Sequence, residues 1–427
     1  MKHIKIIGAG LAGCEAAYYL ASKGYQVTLF EMRPKVSTPA HQTDLFAELV
    51  CSNSLRSNDL KNGVGLLKQE LLLLDSLIMK VAQSVKVEAG SSLAVDRNLF
   101  ANNITKIIKN HPNIKVVNEE VISFGIDEEI IVASGPLTSD KLCNFIKEIT
   151  GQNNLHFYDA IAPIIDSTTI DFKKVFLKSR YDKGAAAYIN CPMTKNEYLK
   201  FHYELINASM HLKKEFEINY FEGCLPVEVL AQRGVNTLTF GPFKPVGLTS
   251  NKDIYAVIQL RAEDYNHAMY NIVGFQTNLT YPEQRRIIRM IPGLETCEIV
   301  KYGTMHVSTH LESPKVLNNL YQLIEHPNIS FAGQITGVEG YVESAASGLL
   351  AAIYKHQFLT QNINILPKET MIQSMANYIS TKQVKFTPMN ANYSLVPSLE
   401  SKHKKSERKT LYAMRALACL KKYLSYD

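Results

Sequence analysis

Ile4-Lys5-Ile6-Ile7-Gly8-Ala9-Gly10-Leu11-Ala12-Gly13 is the stretch on which the fold turns. A short apolar run ends in G-x-G-x-x-G, a helix pattern follows over Glu15–Lys23 with Ala16, Ala17 and Leu20 on its inner side, and Gly24 stops it. Tyr25–Glu31 then reads as a second strand. Parallel strands joined in this way form a β-α-β unit whose sheet must be covered by helices. Gly8 permits the tight turn, Gly10 lets a pyrophosphate approach the backbone, and Gly13 lets the helix lie against the strand. Around them, Ala9, Leu11 and Ala12 place free N–H groups at a helix start, where anionic phosphate is favoured. Glu31 ends the second strand 18 residues past Gly13, where a carboxylate can bind ribose hydroxyls. The combination predicts a dinucleotide site.

Further out, Ile114–Val121 and Ile130–Ala133 read as strands, the second closed by Ser134-Gly135-Pro136. Ile329–Gln334 reads as another, followed by glycines and a helix over about Glu343–Lys355. Between them, strand-like runs (Val175–Tyr181, Ala186–Asn190, Tyr255–Arg261, Tyr270–Gln276, Glu298–Met305) alternate with helices over Lys195–Ala208 and Glu283–Met290. The expected architecture is α/β: a Rossmann-like nucleotide-binding domain split into 1–172 and 323–427, with an α/β domain inserted at 173–322.

Composition narrows the class. The 427 residues are 46% hydrophobic and 20% charged, enough apolar chain for sizeable cores. The formal charge of +6 is modest but unevenly spread. Past residue 399, Lys402, Lys404, Lys405, Arg408, Lys409, Arg415, Lys421 and Lys422 face three acids, Glu400, Glu407 and Asp427, so 8 − 3 leaves +5 in that segment. Seven widely spaced cysteines with no C-x-x-C pair point to a reducing compartment and predict no metal site. No apolar run is long enough to cross a membrane, and the chain enters its first strand at once, without a cleavable leader. A cytoplasmic protein is expected.

Phe331-Ala332-Gly333-Gln334-Ile335-Thr336-Gly337-Val338-Glu339-Gly340-Tyr341 resembles the C-terminal flavin motif of glutathione-reductase-like FAD enzymes, and Val132-Ala133-Ser134-Gly135 resembles their internal A-T-G motif, with Ser for Thr. The first resemblance places a helix N-terminus against the flavin pyrimidine oxygens. FAD is therefore the expected dinucleotide, held by Gly8 to Gly13, Glu31, Gly135, Gly333, Gly337, Gly340 and Tyr341. No second G-x-G-x-x-G is present for a nicotinamide domain.

Longer motifs are more specific. Glu31-Met32-Arg33-Pro34, Ala47-Glu48-Leu49-Val50-Cys51-Ser52-Asn53-Ser54, Leu93-Ala94-Val95-Asp96-Arg97, Lys178-Ser179-Arg180-Tyr181-Asp182-Lys183-Gly184, Asn190-Cys191-Pro192-Met193, Phe221-Glu222-Gly223-Cys224, Gly241-Pro242-Phe243-Lys244-Pro245-Val246-Gly247-Leu248 and Pro388-Met389-Asn390-Ala391-Asn392 are similar to the TrmFO family. That family is related to the GidA/MnmG proteins, and the likeness runs from Ile4 to about Tyr393. It implies FAD- and 5,10-methylenetetrahydrofolate-dependent formation of 5-methyluridine in the T-loop of tRNA, with NAD(P)H as reductant. It also implies Cys224 as the nucleophile that adds to uracil C6, and Cys51 as the group that takes the C5 proton and shapes the flavin pocket. Cys191 matches a family cysteine without an arguable role, and Cys14, Cys143, Cys297 and Cys419 read as structural.

For RNA contact, Lys178, Arg180, Tyr181, Lys183 and Lys244 are the candidates within the motifs. Arg285, Arg286 and Arg289 on one helix and the basic C-terminal segment are others, and His306 is a candidate pocket residue. Three alternatives stand beside tRNA methylation: the same chemistry on a 23S rRNA uridine, a GidA-like wobble-uridine modification, and a flavin-containing RNA-binding protein without catalysis.

Overall fold

The computed structural model describes the chain except residues 1, 153–154, 212–224, 250, 252, 385, 401–402 and 426–427, and of 155–160 and 306–307 only the main chain. β1 (His3–Ile7), α1 (Leu11–Ser22) and β2 (Gln26–Glu31) form the expected unit, with Ile4 opposite Val27 and Ile7 opposite Phe30 in a parallel pair. The helix begins at Leu11, ahead of the visible periodicity. Leu11 through Ala17 are all buried, so this end is apolar nearly all round and shows no stripe.

The fold is α/β and Rossmann-like. Its parallel sheet runs in the order Ile329–Phe331, Ile130–Val132, β1, β2, Ile114–Asn118. Phe331 pairs with Val132, so a strand from late in the chain completes a sheet begun at its start. The long helix Tyr341–Thr360 packs on α1 where side chains are absent: a methyl group on Gly348 would stand 2.3 Å from the Ala12 carbonyl oxygen. On Gly13 it would stand 1.8 Å from the Gly8 carbonyl oxygen. These contacts tie both helices to the C-terminal edge of the sheet.

A second sheet is antiparallel, in the order Phe176–Leu177, Tyr188–Met193, Ala256–Ala262, Met269–Ile272, Ile164–Asp166, Ile299–Lys301. Its strands therefore start ahead of residue 173; Ile164–Asp166 is too short to show a period. The ribbon of Leu155–Ala160 against Met305–His310 is where the chain leaves the first sheet and returns. Two expected strands are shorter than their apolar runs. Lys178 onward turns away, with Tyr181 and Asp182 at φ of 58° and 51°. Glu298–Met305 breaks at Gly303, where a Cβ would meet the Ile161 carbonyl oxygen at 2.6 Å.

The basic C-terminal segment is mostly a helix, Arg408–Leu424, that buries Tyr412, Ala413, Ala416 and Leu420 against the first unit. The i, i+4, i+8 spacing of Tyr412, Ala416 and Leu420 explains why one face docks.

Replacing Gly13 by Ala should cost at least about 3 kcal/mol, because backbone rather than a flexible side chain opposes the methyl group. The control is Gly10→Ala, at φ −75° with nothing within 4 Å of the added carbon, which should change stability by under about 0.5 kcal/mol. Urea midpoints compare them; equal midpoints would contradict the packing.

Candidate functional site

A cavity of about 440 Å³ opens where the first sheet's strands end, a size within the usual range for ligand sites. Gly8, Gly10, Leu11 and Ala12 line one side, and Gly333, Gly340 and Tyr341 another, while Glu31, Gly135 and Cys51 complete the wall. Two helix N-termini, at Leu11 and at Tyr341, thus face a single space, and their unpaired N–H groups favour anionic groups there. The open side of Gly10 leaves the backbone bare at this point, which suits a pyrophosphate.

Glu31 is more committed than its place in the sequence suggests. One carboxylate oxygen accepts from Ala9 N–H at 3.0 Å, the other from Arg33 Nε at 2.9 Å and Arg33 N–H at 3.1 Å. Burial works to raise its pKa, but Arg33 and these hydrogen bonds outweigh it, so the group is held below its ordinary value and stays ionised. A carboxylate with two lone pairs on each oxygen retains capacity for a ribose hydroxyl. The remaining members of the expected set act behind the wall. Ala9 is fully buried, Gly13 is filled by Gly8, and Gly337 at φ 85° faces the Phe386 ring. The lining thus fits FAD by its glycine cradle, its two helix starts and its ribose-side acid.

Cys51 is half-buried in the wall, and the loop that carries it is clamped from two directions. Tyr341, first residue of its helix, accepts from Cys51 N–H at 2.8 Å and Ser52 N–H at 3.2 Å through its hydroxyl; burial raises that hydroxyl's pKa, so it remains protonated. From the second sheet, Arg261 donates to Asn53 Oδ1 at 3.0 Å and Ser52 Oγ at 2.6 Å. Asn53, fully buried, returns bonds to Val95 O and Ala262 O. Arg97 reaches Leu49 O at 2.7 Å while paired with Glu263, and Lys301 lies 3.4 Å from Val50 O. Burial, then the charge of Arg97, pushes the Lys301 pKa down, against the pull of Glu48, Cys51 and Glu263.

At the Gly333 end, His310 Nδ1 lies 2.8 Å from Gln334 O, which makes that nitrogen the donor, and Nε2 lies 3.4 Å from Glu339. Gln334 donates its amide to the other Glu339 oxygen at 2.7 Å, and both Gln334 and Glu339 line the cavity. Arg56, also in the wall, pairs with the buried Glu343.

The expected RNA-binding residues come together, but beside the cavity rather than in it. Arg180 donates to the carbonyls of Lys244 (2.9 Å) and Val246 (2.5 Å) and to Gln259 Oε1 (3.2 Å), while Tyr181 N–H bonds Gly247 O at 2.7 Å. Lys178 is paired with Asp182 at 3.2 Å, and Tyr181 and Lys183 are exposed. Gln259, which Arg180 bonds, and Arg261 of the cavity wall share one face of their strand, two residues and so about 7 Å apart. The arginine cluster is engaged internally: Arg285 with Tyr302, Arg286 with Glu283 and Glu204, Arg289 with Cys297 O. Cys224 and the side chain of His306 lie outside the described residues. Val227, three residues beyond Cys224, donates to Gln276 O at 2.7 Å, and Gln276 lines the cavity. Cys191 is fully buried, and burial raises its thiol pKa. Burial pushes Cys143 and Cys297 up to about 11 and raises Cys14 and Cys419 as well, so these five are thiols rather than thiolates at neutral pH.

Arg261 is the wall residue that reading by motif passes over. Its signal is present: Gln259, Arg261 and Glu263 alternate with Ile258, Leu260 and Ala262. Such alternation normally marks a solvated face, and here that face is buried against the Cys51 loop.

A family model described as "Glucose inhibited division protein A" matches residues 3–362. A protein of Acholeplasma laidlawii is 56% identical over 424 residues, covering 99% of both chains. An Exiguobacterium protein is 56% identical over 433 residues, again 99% of each, and one from Staphylococcus haemolyticus is 55% identical over 428 residues, 98% of each. All three are named methylenetetrahydrofolate–tRNA-(uracil-5-)-methyltransferase TrmFO. Aquifex aeolicus GidA superposes with a TM-score of 0.72 at 15% identity, over 99% of this chain and 76% of that one, a likeness of fold.

The clamp is tested by a double-mutant cycle of Asn53→Ala and Arg261→Met. Each single change strands a buried polar partner, so each should cost about 2 kcal/mol. The double variant should cost clearly less than the sum, by about 1 kcal/mol or more in denaturation. Additive losses would show that the two side chains act apart.

Proposed function

The chain belongs to the glucose-inhibited division protein A family and, within it, to the TrmFO proteins, and from that premise we propose that it makes 5-methyluridine in the T-loop of tRNA. The carbon comes from 5,10-methylenetetrahydrofolate, the site takes FAD, and NAD(P)H is the external reductant. The observation that carries this reading is the position of Cys51: it stands in the wall of a cavity lined by both the first glycine loop and the Gly333–Tyr341 segment. The reaction belongs to the cytoplasm, and among the described residues no helix is long and apolar enough to cross a membrane.

Uracil C5 becomes nucleophilic only after addition at C6. The Cys224 thiolate adds there, and the electron pair moves toward C5 and O4. C5 then takes the methylene carbon of the folate. Cys51 removes the C5 proton, and that electron pair expels the tetrahydrofolate amine as the exocyclic methylene forms; the Cys224 sulfur leaves from C6 only when the methylene is reduced and the C5–C6 double bond returns. FAD, when bound, supplies the reducing equivalents that turn this methylene into methyl. The chain's own groups prepare the site. The helix starts at Leu11 and Tyr341 hold anionic groups, Glu31 takes a ribose hydroxyl, and Arg261 presents a fixed cation where negative charge develops. Tyr341 holds the Cys51 backbone so that the thiol keeps its place during proton transfer.

Incubation with carbon-labelled methylenetetrahydrofolate should place label in tRNA 5-methyluridine, detected by nucleoside mass spectrometry, and Cys51→Ala should lower that turnover at least about 100-fold. With 5-fluorouridine T-loop RNA, Cys51→Ala should still form a covalent adduct and Cys224→Ala should form none. An adduct in Cys224→Ala, or full turnover in Cys51→Ala, would overturn the assigned roles. Label entering a 23S rRNA fragment but not tRNA would reassign the substrate.

A further inference from the structure

Of the chain's net charge of +6, +5 resides past residue 399 (8 − 3), and among the described residues the structure orders these cations along an axis. The helix Arg408–Leu424 is anchored separately at its two ends. Near its start, the Tyr412 ring stacks on Tyr393 with centroids 5.6 Å apart, and the Tyr393 hydroxyl bonds Leu60 O. Asn390, three residues before Tyr393, lines the cavity. Near its end, the Tyr423 hydroxyl accepts from Gln357 at 3.1 Å and donates to Asn364 O at 2.9 Å. Gln357 belongs to the last turn of the helix whose first residue, Tyr341, is in the cavity wall. The C-terminal helix therefore runs away from the cavity.

This direction divides the basic residues. Lys404, Lys405, Arg408 and Lys409 stand at the cavity end, all exposed. Among the described residues no carboxylate forms an ion pair with any of the four. Lys421 and Lys422 stand at the other end, about 20 Å farther at 1.5 Å per residue. Arg415, between them, is spent on the carbonyls of Pro397 and Ser398. The docked face is apolar, so removing the four exposed cations leaves the helix's packing intact.

We propose that Lys404, Lys405, Arg408 and Lys409 form a phosphate-binding surface for the backbone of the RNA whose uridine enters the cavity, and that the Lys421–Lys422 end takes no part. This rests on the proposed tRNA activity. Contacts of this kind release counterions, give affinity without reading sequence, and position the substrate. They act on KM and leave kcat alone.

The test compares two full-length, FAD-loaded variants with the parent: Lys404→Gln/Lys405→Gln/Arg408→Gln/Lys409→Gln, and Lys421→Gln/Lys422→Gln. The dissociation constant and KM for tRNA are measured across a salt series, with thermal melting as a folding control. The quadruple variant should bind tRNA about 10-fold or more weakly near 0.1 M salt, with a salt slope shallower by about two or more and kcat within about twofold. The double variant should bind within about twofold of the parent. Unchanged binding in the quadruple variant, or equal weakening in both, would overturn the proposal, since equal weakening is what net charge alone produces. If the parent methylated no tRNA, the activity would be refuted while the binding comparison still judged this surface.

Discussion

Between Gly13 and Gly8 there is no room for a methyl group, and the same is true between Gly348 and Ala12. These backbone approaches draw α1 onto the sheet and the Tyr341–Thr360 helix onto α1. Two helix starts, widely separated in sequence, consequently border one cavity. Neither start has a side-chain cap, so their N–H groups are available to whatever enters. The binding potential of the site is thus a product of close packing before any charged side chain is considered.

The second unit supplies what the first lacks. A nucleotide-binding sheet can hold a dinucleotide on glycine turns alone, but the loop that carries Cys51 needs restraint from outside it. Strand Ala256–Ala262 provides the restraint through Arg261, whose guanidinium holds Ser52 and Asn53, while the neighbouring Glu263 positions Arg97 against Leu49. Tyr341 closes the loop from the opposite side. Cys51 therefore belongs mechanically to both units, and its loop is held by Tyr341 from one and Arg261 from the other.

What the sequence discloses follows from the range of the interactions. The placement of the Gly8–Gly13 turn, Glu31 and the Gly333–Tyr341 segment was legible because each forms within one turn or one β-α-β unit, and the α/β class followed from them. Arg261 was not legible: its partner Asn53 is 208 residues away, and the alternation around it shows a polar face without saying that the face is buried. Arg180 looked like an RNA contact because it is a cation in a glycine-bearing motif, yet its guanidinium bonds two carbonyls and an amide within the chain. In the C-terminal segment the charge was visible from composition, whereas its direction relative to the cavity depends on two tyrosine contacts that no periodicity reveals.

The central claim is that the paired helix starts and glycine turns hold FAD beside Cys51. The most direct measurement is the visible absorption spectrum of the purified chain, with the cofactor released by denaturation and quantified. A flavin spectrum with about one equivalent of FAD per chain, recovered or readily reconstituted, is the predicted result. A colourless protein that takes up no FAD when it is supplied would contradict the account.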